Sequence, residues 1–155
     1  MGSLSAMSTQ AVLERVLGDG HAGRGDVLHE MTAAYTAAWT AAAPRLLELC
    51  RVRIASMLGC DAEVAARTPD TGLHDDVVTA VAAWPTDPRF EPADRACLAF
   101  TEHYVIDVAS LDDATVEAVR IHLGDAGLQD FVSALLVIEQ RIRLRLVWDR
   151  LLGGH

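Results

Sequence analysis

Residues 44–59, PRLLELCRVRIASMLG, restrict the fold more than any other part of the chain. Proline lacks the N–H that the first turn of a helix leaves unbonded, so Pro44 suits a helix start, and Gly59 suits a left-handed stop. Between them Leu47, Cys50, Ile54 and Met57 recur at helical spacing, widened by Leu46 and Leu58. On this reading Arg45, Arg51 and Ser56 point away from the apolar stripe and Glu48 lies at its edge, within reach of Arg51 or Arg45 for an ion pair. Cys60 follows the glycine and opens a second, shorter helix toward Arg67. The stretch from Pro44 to Arg67 thus predicts a core helix followed by a short one, and holds two of the three cysteines, Cys50 and Cys60.

The same periodicity recurs along the chain. Helices are expected over 10–17, over 26–43 around the alanine-rich stretch at Trp39, over 73–84 and over 93–109. Ser110 and Asp113 resemble a capping box for a helix to about Leu123, which Gly124 and Gly127 close. Residues 128–152 carry Phe131, Leu135, Ile138, Ile142 and Leu146 at helical steps and predict one long helix, despite the alternating Arg-Ile-Arg-Leu-Arg-Leu run inside it. Half of the residues are hydrophobic, aromatics are few and only five prolines occur, so an all-α fold is the expectation. At 155 residues one domain buries roughly 70% of the surface that the unfolded chain exposes. Residues 9–152 are read as that domain, and 1–8 as a disordered or tag-derived N-terminus.

Charge and composition narrow the partners. A formal charge of -9 repels phosphate backbones and anionic membranes, so neither nucleic acid nor a membrane surface is expected. No uninterrupted apolar run approaches ~20 residues, which argues against a membrane span. Three cysteines make no disulfide framework, and with no basic-then-apolar leader the chain reads as cytoplasmic. The glycines at 18–25 lack a preceding strand and a Gly-Lys-Ser/Thr sequence, so they are a loop. His29 has no second ligand at helical spacing, and His74, Asp75 and Asp76 diverge around a first turn, so neither set is a metal site and no cofactor is expected. Cys97 is a small buried hydrophobe. The arginines at 141, 143, 145 and 150 either bind an anion or pair with Glu139, Asp149 and acidic groups of a neighbouring subunit, pairing being the preferred reading.

A thiol in the first turn of a helix feels the positive end of the dipole, which favours the thiolate, so Cys60 is the candidate reactive thiol. A thiol that reduces a peroxide becomes a sulfenic acid and needs a second thiol and a proton relay nearby. Glu48 followed twelve residues later by Gly59-Cys60 resembles the core motif of the alkylhydroperoxidase D and carboxymuconolactone decarboxylase family. The likeness extends over about residues 12–150, through the proline-rich connector, the Arg-Ala-Cys-Leu-Ala-Phe helix at 95–100 and the final long helix. It implies an all-helical bundle that assembles with itself, as a dimer to hexamer, and a peroxiredoxin-type activity.

In the redox members a second cysteine stands where this chain has Glu63, and a histidine where it has Arg67. Glu63 and Arg67 are four apart in the order that forms a favourable helix pair. The candidate site residues are therefore Glu48, Cys60, Glu63 and Arg67, and three readings follow. The first is a family member with a degraded thiol dyad acting on peroxide. The second is a non-redox lyase, with Arg67 holding a small carboxylate and Glu48 or Glu63 moving a proton. The third is a non-catalytic oligomeric binding protein. Self-association is expected through the apolar surface around Trp39 and the helix that ends near Trp148.

Overall fold

The computed structural model describes residues 7–18 and 24–153, all of whose regular structure is helical. In chain order the helices are α1 (Thr9–Leu17), α2 (Arg24–Ala38), α3 (Pro44–Leu58), α4 (Asp61–Ala65), α5 (Asp75–Ala80), α6 (Pro92–Ile106) and α7 (Asp113–Gly153), with 3-10 turns at Val81–Ala83 and Val108–Ser110. Of the glycines at 18–25 read as a loop, Gly18 caps α1 and Gly25 lies inside α2, while residues 19–23, like 1–6 and 154–155, lie outside the described residues.

Helix α3 is the central element and packs on α4, α6 and α7, while α2 and α1 lie across α7. Pro44 and Gly59 bound α3 as the sequence requires, Gly59 adopting φ 70° and donating its N–H back to Ala55 and Ser56. The core gathers Leu47, Leu49, Cys50 and Ile54 of α3, Cys97, Leu98 and Phe100 of α6, and Phe131, Leu135, Ile138 and Ile142 of α7. Phe100 and Phe131 meet edge to face at 5.8 Å.

Several boundaries differ from the sequence reading for local reasons. Helix α2 stops at Ala38, five residues earlier than expected, where the Thr40 and Ala41 N–H groups turn to the Ala37 and Ala38 carbonyls three residues back, and Ala43 ahead of Pro44 sits at ψ 126°, since the residue before a proline is driven out of the helical region. Residues 39–43 form turns instead, with the Thr40 hydroxyl donating to the Ala37 carbonyl at 2.7 Å. The final helix starts on Asp112, whose side chain accepts from the Thr115 N–H at 2.8 Å. Ser110 is not the cap, since its hydroxyl donates to Asp107 in the preceding turn. Within α7, Gly124 takes φ 72° and ψ 176°, a region open to glycine alone, and this breaks α7 into a short arm and a long one.

No uninterrupted apolar run approaches a membrane span, but among the described residues one helix meets the test of length and average composition. The stretch Asp113–Leu152 is long and apolar enough to cross a membrane by length and composition, because a window average tolerates the charges that interrupt a pure apolar run. The Gly124 break falls inside this stretch, and its Phe131, Leu135, Ile138 and Ile142 stripe faces the core.

Candidate functional site

The inward face of α3 is more complex than an apolar stripe. Arg51, read from the sequence as pointing away from the core, is 1% exposed, because α4 and the turn after it cover that side of α3. A buried guanidinium must use its donors, and Arg51 uses all five. Nε donates to Glu48 Oε2 at 2.8 Å and Nη2 to Glu48 Oε1 at 2.8 Å, a two-pronged pair. Nη1 donates to both the carboxylate and the backbone carbonyl of Glu63 at 2.7 Å, and Nη2 also reaches the Ala66 carbonyl at 2.8 Å. Glu48 Oε1 further accepts the Thr68 N–H at 3.1 Å.

This clamp continues outward. The remaining oxygen of Glu63 accepts the Thr9 hydroxyl. Arg145 of α7 reaches Thr9 Oγ1 at 3.5 Å and the Met7 carbonyl at 2.7 Å, and pairs with Asp149 at 2.8 Å. One polar network therefore ties α1, α3, α4 and α7 together. Burial pushes the Glu48 carboxyl up, but the hydrogen bonds and charge of Arg51, with Thr68 beside it, outweigh burial and hold it below its ordinary value. Burial likewise works against the Arg51 charge, and Glu48 and Glu63 more than restore it.

Of the four sequence candidates, Glu48 and Glu63 are brought together on Arg51, while Arg67 is turned away from them. Glu48 pairs with Arg51, one of the two partners that helical spacing allows. Glu63 does not pair with Arg67. Helix α4 ends at Ala65 and Ala66 is extended, so Arg67 leaves the helix before the four-residue spacing brings the two side chains together. Arg67 binds Asp75 at 2.8 Å and the carbonyls of Val64 and Ala66, at the surface. Cys60 precedes α4 but is 2% exposed, and its thiol is pushed up, first by burial and then by the charge of Glu63, with the Glu63 backbone N–H only partly offsetting them. A five-residue helix with Asp61 and Glu63 in its first turn gives too little positive potential to favour the thiolate. Cys50 and Cys97 are free and buried, the Cys50 thiol pushed up to about 12 chiefly by burial.

A cleft of about 470 Å³, within the range of small-molecule sites, opens beside the clamp. Its lining includes Thr9, Arg51 and Glu63 of the clamp, Arg67, Thr68 and Pro69, and Tyr35, Trp39 and Arg141. Glu48 and Cys60 are not among its lining residues. Sequence reading missed Arg141 and Tyr35 as members of this site. Arg141 could only be counted among the arginines of α7, of which Arg143 and Arg145 do pair with Glu139 and Asp149 as expected. Among the described residues no group of three or more His, Cys, Asp or Glu side chains is placed to hold a metal. Comparison with protein-family models and with curated proteins finds no match for this chain.

Replacing Arg51 by methionine leaves two buried carboxylates without their counter-charge, and the free energy of urea unfolding should fall by about 3–5 kcal/mol. Glu48 ionises more readily folded than unfolded, where its ordinary value is 4.5. Its contribution to stability is therefore complete above that pH and fades as the pH falls through the lower folded value. Unfolding midpoints measured from pH 6 to about 2.5 should drop less steeply for Glu48→Gln than for the parent; parallel profiles would contradict the assignment.

Proposed function

We propose that this chain is a non-redox relative of the alkylhydroperoxidase D and carboxymuconolactone decarboxylase proteins, a binding protein that takes a small carboxylate in the cleft between Glu63, Arg67 and Arg141. The observation that carries the reading is the complete commitment of Arg51 to Glu48 and Glu63. A peroxide reaction needs a thiolate in reach of substrate, whereas Cys60 is buried with its thiol favoured in the protonated form. A lyase reaction needs a carboxylate free to move a proton. Glu48 is held by three donors and Glu63 by the Arg51 guanidinium and the Thr9 hydroxyl, which favours binding over proton transfer. The open volume and the cationic groups beside it remain for a ligand.

Self-association belongs to the same reading and is placed at the end of α7, where Val147, Leu151 and Leu152 leave apolar side chains exposed. Sedimentation should give a multiple of the 16.7 kDa chain mass, reduced by Leu151→Asp; a parent protein that sediments as one chain would overturn it.

Two measurements test the function. Acetate, succinate and benzoate are titrated at up to 20 mM, and at least one should raise the melting temperature, since a ligand bound only by the folded state stabilises it. Peroxide should be consumed no faster by the parent than by Cys60→Ser. Rapid peroxide turnover that depends on Cys60, or no response to any of the three anions, would sink the reading.

A further inference from the structure

The described part of the molecule has three buried arginines, and they are not equivalent. Arg51 is paired with Glu48 and Glu63, and Arg145 with Asp149. Arg141, 9% exposed, has no carboxylate within salt-bridge distance among the described residues. Its guanidinium carbon lies 4.1 Å over the centroid of the Tyr35 ring, and its Nη2 donates to Gln10 Oε1 at 3.1 Å. That oxygen faces the arginine because the Gln10 amide nitrogen is already used on Glu14 at 2.9 Å.

The other donors of Arg141, on Nε and Nη1, have no acceptor among the described residues. They are not sealed in either. The buried side-chain atoms without a hydrogen-bond partner among the described residues are the indole nitrogens of Trp39 and Trp148. A cation removed from water is ordinarily matched by a contacting anion, and here the charge of Glu63 acts on Arg141 across the larger cleft but no carboxylate among the described residues pairs with it directly.

Arg141 and Tyr35 also line a second cleft, of about 190 Å³, whose remaining wall is Met31, Ala34, Leu136, Val137 and Gln140. Leu136 is half exposed beside it. A cation on one side and an apolar wall on the other, sharing Arg141, match a ligand with a charged head and an apolar body. Glu63 also lines the larger cleft, and a second negative charge on the ligand would meet it there.

From this arrangement we infer that Arg141 anchors the carboxylate of an amphiphilic monocarboxylate, a short alkyl or aryl acid whose apolar body lies against Met31 and Leu136. The inference rests on the reading of the larger cleft as a carboxylate site and moves the anchor from Arg67 to Arg141. One of the five N–H groups of Arg141 is used on Gln10, so four remain in one fixed plane, and the second N–H of Nη2 with a neighbouring one on Nη1 or Nε leaves one two-pronged edge for a carboxylate, while stacking on Tyr35 holds that plane in place.

Octanoate is the probe, with acetate and the neutral octanamide as controls, and binding is read by titration calorimetry on the full chain. Octanoate should bind at least tenfold more tightly than either control. Arg141→Met should weaken octanoate at least tenfold, Arg141→Lys less, and Leu136→Asp should remove most of the advantage of octanoate over acetate. If Arg141→Met fails to fold, the parent's preference for octanoate over octanamide and the Arg141→Lys and Leu136→Asp titrations decide. Equal binding of octanoate and octanamide, or octanoate affinity unchanged in Arg141→Met, overturns the inference. Binding of acetate, succinate or benzoate that is lost in Arg67→Ala and untouched in Arg141→Met overturns it while leaving the carboxylate site standing. No binding of any carboxylate overturns both.

Discussion

The structure depends on one buried guanidinium. Arg51 sits on the central helix with every N–H engaged, and its partners come from α3 itself, from α4 and from the turn beyond α4. A short helix such as α4, five residues long, has little stability of its own, so its place against α3 is set by these charge-assisted bonds and by the Glu48 contact to Thr68. Desolvating a charge is costly, and the cost is offset only where geometry and hydrogen bonding are complete. They are complete for Arg51, and through Thr9 the same network reaches α1 and Arg145 of α7.

That completeness governs the chemistry left to the site. Glu48 and Glu63 are both held by the one Arg51 guanidinium, and the thiol beside them is buried. The reactive character that a helix start lends to a cysteine is absent because the helix is short and begins with two acidic residues. The groups facing open volume come from other elements: Tyr35 from α2, Arg141 from α7, and Arg67 from the segment after α4. The site is thus a place where helices meet, with Arg51 and Glu63 of the clamp in its lining and Cys60 outside it.

Much of the architecture was legible in the chain. Pro44 and Gly59 marked α3 to the residue, and the spacing of Phe131, Leu135, Ile138 and Ile142 identified the buried side of α7. The boundaries that went astray, at Ala38 and at Asp112, depended on local hydrogen bonding and on the backbone ahead of Pro44, which periodicity does not register. The pairings were harder. Helical spacing offered Glu48 to Arg51 and Glu63 to Arg67, and only the first survived, because the second assumed that α4 continues to Arg67.

The sequence by itself determined that the chain forms helices, where most of them lie and which apolar side chains face inward, because these follow from local propensity and period. The tertiary structure alone decided that Arg51 is buried, that Cys60 is enclosed, and that Arg141 lies beside open volume with no carboxylate in salt-bridge distance among the described residues. A charge at a helical position looks the same in sequence whether water or another helix covers it. What covers it is settled by packing between residues far apart in the chain, as Thr9, Arg51, Glu63 and Arg145 show where four helices meet.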